Sequence, residues 1–124
     1  MAKIKTYRDL IVWQKSITLV TEIYEITKRF PRDETYGLIS QIRRCAVSIP
    51  SNIAEGYGRN STSDYIRFLH IATGSLYELQ TQLEIAFNLE YLKKTVFDKL
   101  YESSREIERM LSSMSRKLNE KRTR

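Results

Sequence analysis

The chain is poor in the residues from which most catalytic and metal centres are built. Its 124 residues include one cysteine, Cys45, and one histidine, His70. A single cysteine closes no intramolecular disulfide and supplies no Cys-rich metal site, and it suits a reducing, cytoplasmic setting. A single histidine excludes the paired Glu-x-x-His sets of a di-iron bundle. With no Cys, Asp or Glu beside it at metal spacing, His70 reads as a helix-surface or interface side chain, or as half of a His–carboxylate pair formed only in space. No metal or cofactor is expected. Four glycines and two prolines argue against a β-rich, turn-dense fold. No apolar run is as long as a membrane span, and the opening MAKIKTYRDL lacks the apolar core of a signal peptide, so no membrane partner is expected. Gly56-x-Gly58 is followed by Ser61 rather than a third glycine, with no strand before it and no P-loop lysine after it. It reads as a helix stop whose glycines supply positive φ.

What the chain has in quantity is helical periodicity, in four segments. In the first, 9–29, Leu10, Trp13, Ile17, Val20 and Tyr24 recur at three- and four-residue steps, and Phe30-Pro31 ends it. The second, 33–55, has a main apolar stripe of Leu38, Ile42, Cys45, Ile49 and Ile53. Beside it run a smaller stripe, Ile39, Ala46, Pro50 and Ala54, and a polar face of Gln41, Arg44, Ser48, Asn52 and Glu55. Cys45, on the main stripe, reads as a core filler rather than a reactive thiol. The third, 62–89, opens at Ser61 and Asp64 at capping-box spacing and carries Tyr65, Phe68, Leu69, Ala72, Leu76, Leu79, Leu83 and Ala86. Gly74 interrupts its outer side at roughly 1 kcal/mol relative to alanine, which points to close approach by another backbone. The fourth, 95–119, starts at Thr95 with Asp98 at capping spacing and presents Val96, Leu100, Ile107, Met110, Leu111, Met114 and Leu118. The polar, basic tail 117–124 is expected to fray.

Short connections make successive helices antiparallel neighbours, so the expected fold is one all-α domain over 1–124, an up-down-up-down four-helix bundle. Pro50 lacks an N–H and crowds the carbonyl of Ala46, so the second helix is expected to kink there at about 3 kcal/mol. One stripe suffices for a helix's own bundle. The smaller stripe of Ile39, Ala46, Pro50 and Ala54, with Gly74, is therefore expected at an interface between copies.

The formal net charge is +6, which favours polyanionic partners. It is unevenly spread: from Arg105 onward seven Lys/Arg stand against three Glu, two-thirds of the net charge. In an up-down-up-down bundle the two termini share one end. Lys3, Lys5 and Arg8 should therefore join Arg116, Lys117, Lys121, Arg122 and Arg124 in one patch that contacts RNA or DNA phosphates, unless it is simply a solvated charged surface. Arg43, Arg44 and Arg59 flank the Pro50 segment and either face phosphate or pair with carboxylates across an interface. Tyr57, in the loop beside Arg59, could stack on a base or pack over the bundle end. No RRM, KH or zinc-finger signature is present, so contact with nucleic acid would be largely sequence-independent.

Several motifs run through the chain: Tyr7-Arg8-Asp9-Leu10-x-Val12-Trp13-Gln14, Phe30-Pro31, Glu34-x-Tyr36-Gly-Leu-x-x-Gln41-x-x-Arg44, Ala46-x-Ser48-Ile-Pro-Ser-Asn-Ile-Ala-Glu-Gly56 and Phe68-Leu-x-x-Ala72-x-Gly-Ser-Leu-x-Glu78. Together they resemble the four-helix-bundle protein family first described from intervening sequences in bacterial 23S rRNA genes. The resemblance implies a left-handed antiparallel bundle, a ring-like homopentamer and no established enzymatic activity. A related branch, the accessory variability protein of diversity-generating retroelements, works with a reverse transcriptase and binds nucleic acid through a basic surface. The expectation is thus a non-enzymatic homo-oligomer that binds RNA or DNA phosphates. The alternatives are a protein-interaction adaptor whose charge serves solubility, and an enzyme that brings His70, Glu55 or Arg44 together from different copies.

Overall fold

The computed structural model describes residues 3–122. A single 3₁₀ turn, Tyr7–Asp9, leads into α1, Ile11–Thr27. A second turn, Arg32–Glu34, precedes α2, Leu38–Tyr57, which is followed by α3, Thr62–Asn88, and α4, Lys94–Arg122. The chain is all-α, with no strand among the described residues. Each helix packs on two others, α1 on α2 and α4, and α3 on α2 and α4. No helix among the described residues is long and apolar enough to cross a membrane.

Several boundaries differ from the periodicity, each for a local reason. Asp9 caps a separate turn instead of starting α1. Its Oδ2 accepts from the N–H groups of Lys5 (2.8 Å) and Thr6 (3.1 Å), and these bonds hold its carboxyl below the usual range. Leu10, in extended backbone, then separates that turn from α1. The second helix starts at Leu38 rather than 33, because Glu34 folds back to cap it. Glu34 Oε1 accepts from Leu38 N–H at 3.2 Å, and its Oε2 accepts from the Tyr91 hydroxyl at 2.9 Å. The fourth helix starts at Lys94, not Thr95, and stays helical through Arg122 where fraying was expected from 117. Arg122 ties that last turn down, donating to Ser63 Oγ at 3.1 Å and to Asn119 Oδ1 at 2.6 Å.

The buried stripe of α1 is Val12, Ser16, Leu19, Ile23 and Thr27, one position away from the apolar stripe read in the sequence. The two buried hydroxyls are satisfied within the helix. Ser16 Oγ donates to Val12 O (2.8 Å) and Thr27 Oγ1 to Ile23 O (2.7 Å), so neither carries the cost of an unpaired polar group. Ile17 and Tyr24, placed in the core by the sequence reading, are exposed, and Trp13 and Val20 are half-buried.

The two stripes of α2 also need reassignment. Ile39, Ala46 and Pro50 are buried inside the chain itself, because a helix that touches two neighbours needs a wider apolar face than one stripe. The interface expectation for Ile39 and Ala46 thereby loses its basis, while Pro50 and Ala54 border a groove on the outside of α1 and α2. Gly74 is exposed, with nothing within 4 Å of where a Cβ would stand, so no backbone of this chain approaches it. Nor do Gly56 and Gly58 supply positive φ; among the described residues only Glu90 has it, at φ 65°. Gly56 instead allows close packing: a Cβ there would lie 2.8 Å from Phe68 Cβ and 3.1 Å from Tyr65 Cδ1.

Candidate functional site

Two ion pairs tie α1 to α4, Lys15–Glu106 (3.2 Å) and Glu22–Lys99 (3.4 Å). They run in opposite order along the two helices, so the start of α1 lies beside the end of α4. The Arg122–Ser63 bond brings the start of α3 to the same end. Lys3, Lys5, Arg8, Arg116, Lys117 and Lys121 thus gather at one end of the molecule. All are exposed, and none forms an ion pair with a described residue. Arg124 lies outside the described residues.

The other expected phosphate contacts divide. Arg43 is a structural clamp near the opposite end. Its Nε donates to Thr27 Oγ1 (2.9 Å), its Nη2 donates to Tyr24 O (3.3 Å), and its guanidinium lies 4.5 Å over the Tyr24 ring. A cation there also meets the carbonyl end of α1. Arg59 belongs to the basic end but is engaged, paired with Glu55 at 2.8 Å and stacked 4.6 Å over Phe68. Arg67, absent from the sequence expectation, covers the same ring at 4.5 Å and pairs with Asp64. Tyr57 packs edge-on against Tyr65, with centroids 6.2 Å apart. Glu55, His70 and Arg44 are not brought together within one copy: Glu55 holds Arg59, and His70 and Arg44 line different grooves.

Arg44 opens onto a polar groove of about 450 Å³ between α2 and α3, lined by Gln41, Arg44, Cys45, Ser48, Ser75, Glu78 and Gln82. Cys45 Sγ donates to Ser75 O at 2.8 Å, and the Ser48 and Ser75 hydroxyls meet at 2.9 Å. Asn52 Nδ2 donates to Ser48 O at 2.8 Å. Burial pushes the Cys45 thiol up to about 12, with the hydrogen bond and charge of Glu78 adding to the shift. At neutral pH it is a thiol, neither nucleophile nor metal ligand. Among the described residues no cluster of three His, Cys, Asp or Glu could hold a metal ion.

Gln82 is 9% exposed, and its Nε2 donates to Gln41 Oε1 at a long 3.4 Å. Its Oε1 has no partner, and exchanging the amide's O and N would only move the deficit to the other atom. An unpaired buried acceptor costs about 1–3 kcal/mol. Arg44 and Glu78 form no ion pair, with each other or with any other described residue. The sequence placed Gln41, Arg44 and Ser48 on the polar face of α2. It did not pair that face with Ser75, Glu78 and Gln82, whose own signal was their three- and four-residue spacing on α3.

The family model described as 23S rRNA-intervening sequence protein matches residues 8–113. A solved structure, a protein with unknown function from the S23 ribosomal protein family of Bacteroides thetaiotaomicron, is similar with a TM-score of 0.77 and 27% identity, covering 85% of this chain and 98% of that one. No curated protein matches the sequence. Neither similarity names a catalytic family.

Proposed function

The chain belongs to the 23S rRNA-intervening sequence protein family, and from that premise and its charge layout we propose a non-enzymatic, homo-oligomeric, cytoplasmic bundle that binds RNA or DNA phosphates through its basic end. The observation that carries this reading is the gathering of Lys3, Lys5 and Arg8 with Arg116, Lys117, Lys121 and Arg122, cations brought together from both termini. The bundle is read as up-down-up-down and left-handed, with α2 bent at Pro50. Copies meet through the groove lined by Trp13, Ile17, Val20, Val47, Pro50 and Ala54, in the five-membered ring that the family resemblance implies. A ring repeats the basic end, so modest contacts sum by avidity.

The test is binding of generic RNA and DNA as a function of salt. The log–log slope should be about −0.9 for each phosphate contact on duplex DNA, and alanine at Lys3, Lys5, Lys117 and Lys121 should flatten it. No binding at low salt would overturn the reading. Native mass spectrometry reports the copies per assembly. Pro50→Ala is expected to change that number more than it changes folding.

The second reading, a protein-interaction adaptor, is favoured by the α2–α3 groove, where Arg44 and Glu78 form no ion pair with a described residue and the Gln82 Oε1 acceptor is unpaired. It predicts that Arg44→Ala and Glu78→Gln abolish capture of a protein partner and leave any nucleic-acid binding unchanged.

A further inference from the structure

A second groove, of about 420 Å³, opens between α3 and α4 at the basic end, lined by Ile66, His70, Ser115, Arg116, Asn119 and Arg122. Its lining holds two guanidiniums, an imidazole, an amide and a hydroxyl over the buried Ile66, and no carboxylate. Arg116 and Arg122 are six residues apart on one helix, roughly 9 Å by helical rise. Between their levels lie Ile66 and Asn119. Arg122 is already oriented by Ser63 and Asn119, so little side-chain freedom remains to be lost on binding an anion. The Asn119 Oδ1 is taken by Arg122, which leaves its amide N–H groups to donate. His70 is exposed and lines the groove.

Cations spaced along an apolar floor beside an aromatic ring are the parts of a single-strand site, where guanidiniums hold phosphates and an unstacked base lies on the ring. We propose that this groove seats one nucleotide of a single strand, its flanking phosphates on Arg116 and Arg122 and its base over Ile66 against His70. This rests on the phosphate-binding reading above and sharpens it: the scattered lysines attract any polyanion, while the groove selects strands whose bases are free.

His70 is the only histidine in the chain, so its imidazole protons give an unambiguous NMR signal. The full chain is titrated with a ten-nucleotide uridine RNA, with a duplex of equal length, and with uridine monophosphate. The single strand should shift the His70 signals, and His70→Ala should weaken single-strand binding about tenfold while leaving duplex binding unchanged. Arg116→Ala, which breaks no hydrogen bond or ion pair with a described residue, should lower single-strand affinity more than Lys3→Ala does. A shift with millimolar uridine monophosphate alone would make a free nucleotide the source of the ligand; a shift only with the strand would make it the strand. Saturating single strand with unmoved His70 signals, or equal losses on strand and duplex in His70→Ala, overturns the groove and leaves the basic end standing. No binding of either nucleic acid overturns both.

Discussion

The α2–α3 and α1–α4 seams share one buried core, to which α1 and α4 give Leu19, Ile23, Leu100, Ile107 and Leu111, but their edges are finished differently. Along α2–α3, Ile42, Ile49, Ile53, Leu69, Leu76 and Leu83 are fully buried. Gly56 admits Phe68 at a distance no Cβ would tolerate, and a line of serines and amides is inlaid at the edge. Along α1–α4 the outer edge is held by Lys15–Glu106 and Glu22–Lys99, both at the surface and open to solvent on at least one side. Desolvated packing is close to irreplaceable, whereas a solvated ion pair is worth little and is screened by salt. The α2–α3 pair should be the last part of the fold to open, and α1 and α4 the parts that adjust.

The contrast can be broken most forcefully at Ile49, which is 0% exposed. Ile49→Ala should cost about 2–5 kcal/mol in urea unfolding, and a loss under 1 kcal/mol would deny the seam its central place. Gly56→Ala comes next, at about 1–3 kcal/mol, because its methyl must displace Phe68 or Tyr65; a neutral result would show that the helices can part there cheaply.

Cys45 tests the same seam without destabilising it. Its folded thiol is pushed up to about 12 from an ordinary 9.0, so alkylation of the native chain should stay slow at pH 9, where an exposed thiol reacts readily. The unfolded chain would ionise first. Stability should therefore be unaffected below pH 9 and fall as pH rises from 9 towards 12. Smallest of all, Lys15→Ala and Lys99→Ala should each cost about 0.2–1 kcal/mol, less in high salt. Losses equal to that of Ile49→Ala would erase the distinction between the seams.

The helix count was legible because periodicity is a local property. The inward face of α1 was not. Its buried stripe includes Ser16 and Thr27, and only their bonds to the preceding turn make them fit for a core, so a reading by hydrophobicity prefers the neighbouring stripe. The start of α2 was hidden for another reason: Glu34 can cap it only from the position it shares with Tyr91, fifty-seven residues away. Half of the polar groove could be read from α2. The rest required the α2–α3 register that sets Ser48 on Ser75 and Gln41 on Gln82. The basic end was legible in outline, since helix order alone puts the termini together. Its groove was not, because it depends on Arg116 and Arg122 meeting His70 from a different helix.

Glu34 has a wider consequence. One oxygen of its carboxylate holds the entry to α2, and the other holds Tyr91 in the link between α3 and α4. Two hairpin turns, remote in sequence, are thus buttoned together by a single side chain, a reversible staple in a protein whose lone thiol can form none of its own. The two turns should loosen as one: hydrogen exchange at Leu38 and in the 89–93 segment should quicken together in Glu34→Gln, and independent rates would show that the button was never fastened.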